Sequence, residues 1–116
     1  MKRIKFTKNQ REIIFNKTNG HCAYCGTGII LKSMQVDHLK SLFKDGTNDI
    51  NNLLPSCRPC NRRKGTFDIE QFRLEIQNQV SVLNKKYATY RNALRFGQII
   101  ENCEPIVFYF EKYRKR

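Results

Sequence analysis

Apolar residues recur every three or four positions across the second half of the chain. At the start, the capping pair Thr7 and Gln10 predicts a helix at about 8–18. From Asp68 the same spacing predicts one long amphipathic helix or a kinked pair, whose apolar face packs on the core more readily than it forms a dimer interface. The apolar positions of this second segment are Ile69, Phe72, Ile76, Val80, Leu83, Tyr87, Tyr90 and Leu94.

Between these helical segments the pattern changes to short apolar or alternating runs. Residues 29–31 and 34–38 have the character of strands, and Leu53-Leu54 that of a returning strand. The turn formers within 40–51 predict a loop between them. Residues 105–110 are β-branched and aromatic, which predicts a C-terminal strand. These elements together indicate an α+β fold.

A short helix is expected directly after the returning strand. Pro59 suits the first position of a helix, and Gly65 suits the position just beyond its last turn. Asn61 then lies near the positive end of the helix, where backbone N–H groups favour an anionic phosphate.

Two pairs of cysteines with the spacing C-x-x-C bracket the predicted strands. They are Cys22, Cys25, Cys57 and Cys60. Two such knuckles complete the tetrahedron that zinc prefers, and four thiolates close the site, so we expect a structural zinc ion. His21 adjoins the first pair but is not needed as a ligand, and Cys103 is expected to be a small apolar filler.

The alternative reading of the four cysteines is a pair of disulfides, which persist in oxidising compartments. We find no signal-peptide pattern and no apolar run long enough to cross a bilayer, so we expect a soluble, cytoplasmic protein with no membrane partner. The compartment therefore favours zinc.

Positive charge dominates the composition, with 22 Lys and Arg against 10 Asp and Glu and a formal net charge of +12. Such a balance is typical of a protein that binds a polyanion. One basic cluster shares the short helix with Asn61 and is expected to contact phosphates: Arg58, Arg62, Arg63 and Lys64. The basic groups at the two ends, which include Lys2, Arg3, Arg114, Lys115 and Arg116, have solvated tails as an equal alternative.

Several motifs agree in order and spacing with one known family. They are Asn19-Gly20-His21-Cys22-Ala23-Tyr24-Cys25-Gly26, Val36-Asp37-His38, Asn52-Leu53, and Cys57-x-x-Cys60-Asn61-x-x-Lys64-Gly65. This pattern, which spans about 8–67, resembles the HNH endonucleases, the ββα-metal or His-Me finger nucleases. The third signature position is Asn61 where the family name has histidine, an H-N-N variant. A neutral amide there favours a hard cation such as magnesium over zinc or nickel.

The resemblance implies an HNH core stapled by the four-cysteine zinc, preceded by the N-terminal helix and followed by the helical segment and the C-terminal strand. It implies a metal-dependent endonuclease that hydrolyses phosphodiester bonds of DNA, which we expect to be double-stranded. His38 would activate water, since an imidazole accepts a proton near neutral pH. Asp37 and Asn61 would hold Mg²⁺ or Mn²⁺, and Asn52, with Asn48 and Asn51 as rivals, would hold the loop and orient His38.

Neighbouring strand residues point to opposite faces, so a site that uses both Asp37 and His38 predicts that the strand ends, bends or bulges there. We expect residues 1–116 to form a single domain, with a core at about 8–67 and an extension at about 68–116. The oligomeric state stays open, with a homodimer as one alternative. A zinc-stapled nucleic-acid-binding module without nuclease activity is the second interpretation, and a protein-interaction domain is the third.

Overall fold

The computed structural model describes residues 4–112 and has an α+β fold. Lys2, Arg3, Arg114, Lys115 and Arg116, the outer parts of the two terminal basic groups, lie outside these residues. In chain order the elements are α1 Lys8–Asn16, β1 Gln35–His38, β2 Leu53–Ser56, α2 Arg58–Lys64, α3 Ile69–Gln77, α4 Gln79–Lys86, α5 Ala88–Arg95 and α6 Tyr109–Lys112. Two 3₁₀ turns, Leu42–Lys44 and Ile50–Asn52, lie between β1 and β2. None of the helices within 4–112 has the length and apolar character needed to span a bilayer.

The described residues divide into two compact units. The first holds the chain as far as Phe72 and again from Val107, and the second is Arg73–Ile106. The predicted motifs all lie in the first unit.

An antiparallel hairpin of β1 and β2 forms the sheet of the first unit. Its register pairs Asp37 with Leu54 and His38 with Leu53. Helix α1 begins with the predicted capping box, in which Thr7 and Gln10 bond each other's backbone reciprocally. The helix packs on the sheet through the buried Ile14, which clusters with Met34 and Leu53.

The strand predicted at 29–31 is wrong, because the chain turns at residues 31–33 before β1 begins. Ile29 N–H instead donates to Gly20 O at 2.9 Å, and His21 and Gly28 form an isolated bridge. The guanidinium of Arg11 also holds this turn, since Nη2 donates to Leu31 O and Met34 O at 2.7 and 2.8 Å. The apolar residues here therefore pack beside α1 without joining the sheet.

The C-terminal strand predicted at 105–110 is also wrong. The N–H groups of Tyr109 and Phe110 donate to Tyr24 O and Ala23 O at the start of α6. Phe108 is buried and stacks on Phe72, with ring centroids 5.3 Å apart. Aromatic residues fit a half-buried pleated surface, but here the Phe108 ring is buried against Tyr24 of the first cysteine knuckle and Phe72 of α3 instead.

The long apolar stripe, which begins in the first unit and continues through the second, is divided among three helices. The predicted capping pair of Asp68 and Gln71 is present before α3, in the first unit. Asn78 separates α3 from α4, and Tyr87, in an extended conformation, separates α4 from α5. Asn78 itself keeps right-handed helical dihedral angles and its side chain makes no capping hydrogen bond. Cys103 is exposed in the second unit, so its predicted role as an apolar filler is wrong.

Candidate active site and metal centre

The four predicted cysteines meet at one point of the first unit. Their sulfur atoms all lie within 4.8 Å of one another, and the sulfurs of Cys25 and Cys57 are 3.8 Å apart. A zinc ion with Zn–S bonds of about 2.3 Å at the centre of a regular tetrahedron separates its sulfurs by about 3.8 Å. The spacing and the sulfur donors therefore fit a structural zinc ion. Its ligand set would be complete without His21, whose ring stacks on Tyr109.

Local backbone geometry places the sulfurs. In the first knuckle, Gly26 adopts φ +81° and its N–H returns to Cys22 O at 3.0 Å. In the second, Cys57 is the N-cap of α2, and its sulfur accepts from Cys60 N at 3.5 Å. A hydrogen bond with Cys60 lowers the pKa of Cys22 to about 4 and raises the pKa of Cys60. Helix α2 is the predicted short helix, with Pro59 in its first turn and Gly65 at its end.

Asp37 is buried on β1 and faces α2. Its Oδ2 accepts from the Tyr24 hydroxyl and lies 3.1 Å from Lys64 Nζ. Burial raises the pKa of Asp37, while the Lys64 ammonium and the Tyr24 hydroxyl oppose that rise. Burial likewise raises the pKa of Tyr24, so this hydroxyl stays protonated and donates.

Lys64 does not lie on the predicted phosphate-binding surface. Its side chain is buried, and Nζ donates to His38 O at 2.9 Å in addition to pairing with Asp37. A buried ammonium requires a counter-charge and hydrogen-bond acceptors, which β1 supplies. The prediction that Lys64 contacts nucleic acid is therefore corrected to an internal pairing role, whereas Arg58, Arg62 and Arg63 are exposed on α2.

His38 is the last residue of β1, so the strand ends where an irregularity was predicted. Its ring is buried beside Phe6, with centroids 6.3 Å apart, and Nε2 lies 2.8 Å from Asn48 Oδ1. Since an amide oxygen only accepts, Nε2 is the donor in this hydrogen bond, which leaves Nδ1 as the ring nitrogen that can accept. Asp37 and His38 thus take different partners, one toward α2 and one in the loop.

Asn52 ties together the two ends of the loop between the strands. Its Nδ2 donates to Lys40 O and Thr47 O at 2.9 and 2.7 Å, and its Oδ1 accepts from Lys40 N at 2.8 Å. Its carbonyl accepts from Leu39 N at 2.8 Å. Asn52 thus holds the backbone that follows His38, while Asn48 makes the direct contact with the imidazole.

Asn61 lies on α2, where its N–H donates to Cys57 O at 3.0 Å. Residues three apart share one face of a helix, so Asn61 and Lys64 lie on the side of α2 that faces β1. The sequence motifs did not reveal the part played by Tyr24, because its spacing from Asp37 carries no signal. The carboxylate of Asp37 and the amide oxygen of Asn61 are the kinds of donor that suit a hard cation such as Mg²⁺.

Comparison with known proteins agrees with this arrangement. A family model for the HNH endonucleases matches residues 22–67, which include both knuckles, the hairpin and α2. Among solved structures, the type II-C Cas9 enzyme from Actinomyces naeslundii is 24% identical with a TM-score of 0.54, and the match covers 65% of this chain but 9% of that one. That similarity shows the fold. No curated protein matches the chain. Residues 22–67 therefore match the HNH endonuclease family and have the fold of that family.

Proposed function

We propose that this chain is a metal-dependent endonuclease that hydrolyses phosphodiester bonds in double-stranded DNA. The observation that carries the proposal is the position of His38 at the end of β1, held by Asn48, within the residues that match the HNH family model. The net charge of +12 supports a polyanionic substrate.

His38 acts as the general base in this proposal. With Nε2 donating to Asn48, Nδ1 is the atom that accepts a proton from the attacking water. Asn52 keeps the backbone beyond His38 in place through its bonds to Lys40. The imidazole is therefore positioned before substrate arrives, which reduces the cost of reaching the reactive geometry.

Asp37 and Asn61 provide the oxygen donors for a divalent cation, Mg²⁺ or Mn²⁺. Such an ion would neutralise charge that builds up on the phosphate. Arg58, Arg62 and Arg63 contact the flanking phosphates from the exposed side of α2, a sequence-independent contribution that weakens with salt. The four-cysteine zinc joins α2 to the first knuckle and contributes no open coordination position.

A second function, a nucleic-acid-binding module that does not cut, is favoured by one observation. The Asp37 carboxylate already has a buried partner in Lys64 and a hydroxyl donor in Tyr24. A cation at Asp37 would then compete with an internal ion pair. If that pair prevails, the +12 charge remains while hydrolysis is absent.

Nicking of supercoiled plasmid in Mg²⁺ separates the two functions. The nuclease proposal predicts cutting by the wild type, a loss of at least about 100-fold in His38→Ala, and retained DNA binding. His21→Ala is the matched control, because the chain has 2 histidines and His21 contacts Tyr109 and backbone carbonyls outside the candidate site. Binding without nicking in Mg²⁺ or Mn²⁺ would support the module instead, and equal cutting by His38→Ala would refute the general base.

A further inference from the structure

The loop between β1 and β2, residues 39–52, exposes one aromatic side chain. Phe43 is 82% exposed, in the middle of the 3₁₀ turn Leu42–Lys44. A single exposed apolar residue is common on protein surfaces and by itself indicates nothing. Two further features make the exposure of Phe43 informative, namely the ordered structure of this loop and its position next to His38.

The turn that carries Phe43 is firmly built. Ser41 is buried, its Oγ accepts from Phe43 N at 3.0 Å, and its carbonyl accepts from Gly46 N at 2.8 Å. A Cβ at position 46 would lie 1.8 Å from Lys40 O, so the close approach requires glycine there. Asp45 completes the turn in the left-handed region, with φ 66°. Phe43 is thus presented on an ordered turn, whose conformational cost is met before binding.

The same loop contributes to the candidate site. It begins directly after His38, and its Asn48 bonds the imidazole. Asn52 closes the loop by bonding the backbone of Lys40 and Thr47, which lie on either side of the turn. Under the proposed function, a DNA strand whose scissile phosphate lies at His38 would approach this loop, which also carries Phe43.

The loop carries no net charge, which makes it unsuited to binding the phosphates of DNA. Residues 39–52 contain two lysines, Lys40 and Lys44, and two aspartates, Asp45 and Asp49, so their formal charges cancel. Lys44 is also engaged, because Nζ donates to Gln71 Oε1. In a chain of net charge +12, this neutral loop with an exposed ring suits the apolar faces of nucleobases instead.

We propose that Phe43 is a base-contacting wedge, which stacks on or inserts between bases of the DNA beside the phosphate held at His38. This inference rests on the proposed function and adds a contact that positions the duplex. An apolar wedge that partly unstacks a base step lets the duplex bend onto the protein. The ring would contribute affinity and position without contributing to the salt dependence of binding.

Binding is tested with a short A·T-rich duplex that carries 2-aminopurine, whose fluorescence rises when the base unstacks. The His38→Ala chain provides binding without cutting, and Phe43→Ala and Phe96→Ala are each added to it. Phe96 is the matched control, since it is 79% exposed and lies in the second unit. We expect the fluorescence rise in His38→Ala and in the Phe96 variant. The Phe43 variant loses the rise and binds about tenfold more weakly, with an unchanged slope of log affinity against log salt.

Cutting is tested in the chain with His38 intact. Phe43→Ala should slow duplex nicking while leaving hydrolysis of bis(p-nitrophenyl) phosphate, which has no bases, at the wild-type rate. Phe43→Tyr, which keeps an aromatic ring, should nick the duplex at about the wild-type rate. Unchanged fluorescence and affinity in the Phe43→Ala variant would overturn the wedge and leave the nuclease function standing. A Phe43-dependent rise without hydrolysis of either substrate would overturn the nuclease function and keep the wedge, and absence of duplex binding overturns both.

Discussion

The ion pair between Lys64 and Asp37 makes a quantitative prediction about stability. Both side chains are buried, and Nζ lies 3.1 Å from Oδ2. Lys64→Met removes the ammonium and keeps an unbranched side chain that is one heavy atom shorter, so the buried carboxylate of Asp37 loses its counter-charge. Breaking a buried pair in this way costs about 3–5 kcal/mol. Lys64→Met should therefore be strongly destabilised.

The melting temperature gives the scale of the effect. An unfolding entropy of about 2.1 cal/mol/K per residue over 116 residues is about 0.24 kcal/mol/K, so a loss of about 3–5 kcal/mol lowers Tm by about 12–20 °C. Thermal unfolding followed by circular dichroism measures this shift. Lys32→Met is the matched control, because Lys32 is exposed and its replacement should change stability by less than about 0.5 kcal/mol.

A double variant tests the stated cause. Asp37→Asn combined with Lys64→Met removes both charges, so it should be more stable than Lys64→Met alone, with a coupling energy of about 1–3 kcal/mol in the cycle. If Lys64→Met melts within about 2 °C of the wild type, or if the double variant recovers nothing, the pair does not stabilise the fold in the way inferred.

Two further predictions concern the metal centre and the loop. Purified protein should contain about one zinc ion per chain by elemental analysis, and a thiol-directed mercurial should release it and lower Tm sharply; a folded chain free of zinc would contradict the assignment. Asn52→Ala should lower the free energy of unfolding by about 2 kcal/mol, because it removes three hydrogen bonds to the backbone of Lys40 and Thr47. The control is Asn51→Ala, at an exposed neighbour, which should lower it by less than about 0.5 kcal/mol. Urea unfolding measures both.

Sequence predicted best the features that depend on neighbours along the chain. The capping box at Thr7, the start of α2 near Pro59 and the two cysteine knuckles follow from local spacing, and the structure confirms each of them. The prediction of a C-terminal strand was wrong because it depended on contacts with distant parts of the chain. Its aromatic residues have strand propensity, but strand formation also needs a pairing partner, and the N–H groups of residues 109 and 110 bond the first knuckle instead.

The inner support of the candidate site could not be predicted, because it joins residues far apart in the chain. The alternation of side chains along a strand predicts that Asp37 and His38 point to opposite faces, but it does not predict which residues each of them contacts. The structure answers with α2 on one side, through Lys64, and with the loop on the other, through Asn48. The two candidate groups are therefore held by separate elements. A substitution in the loop can displace His38 while Asp37 stays in position. A substitution in α2 can displace Asp37 while His38 stays in position. Stability and cutting should consequently respond differently to variants on the two sides of β1.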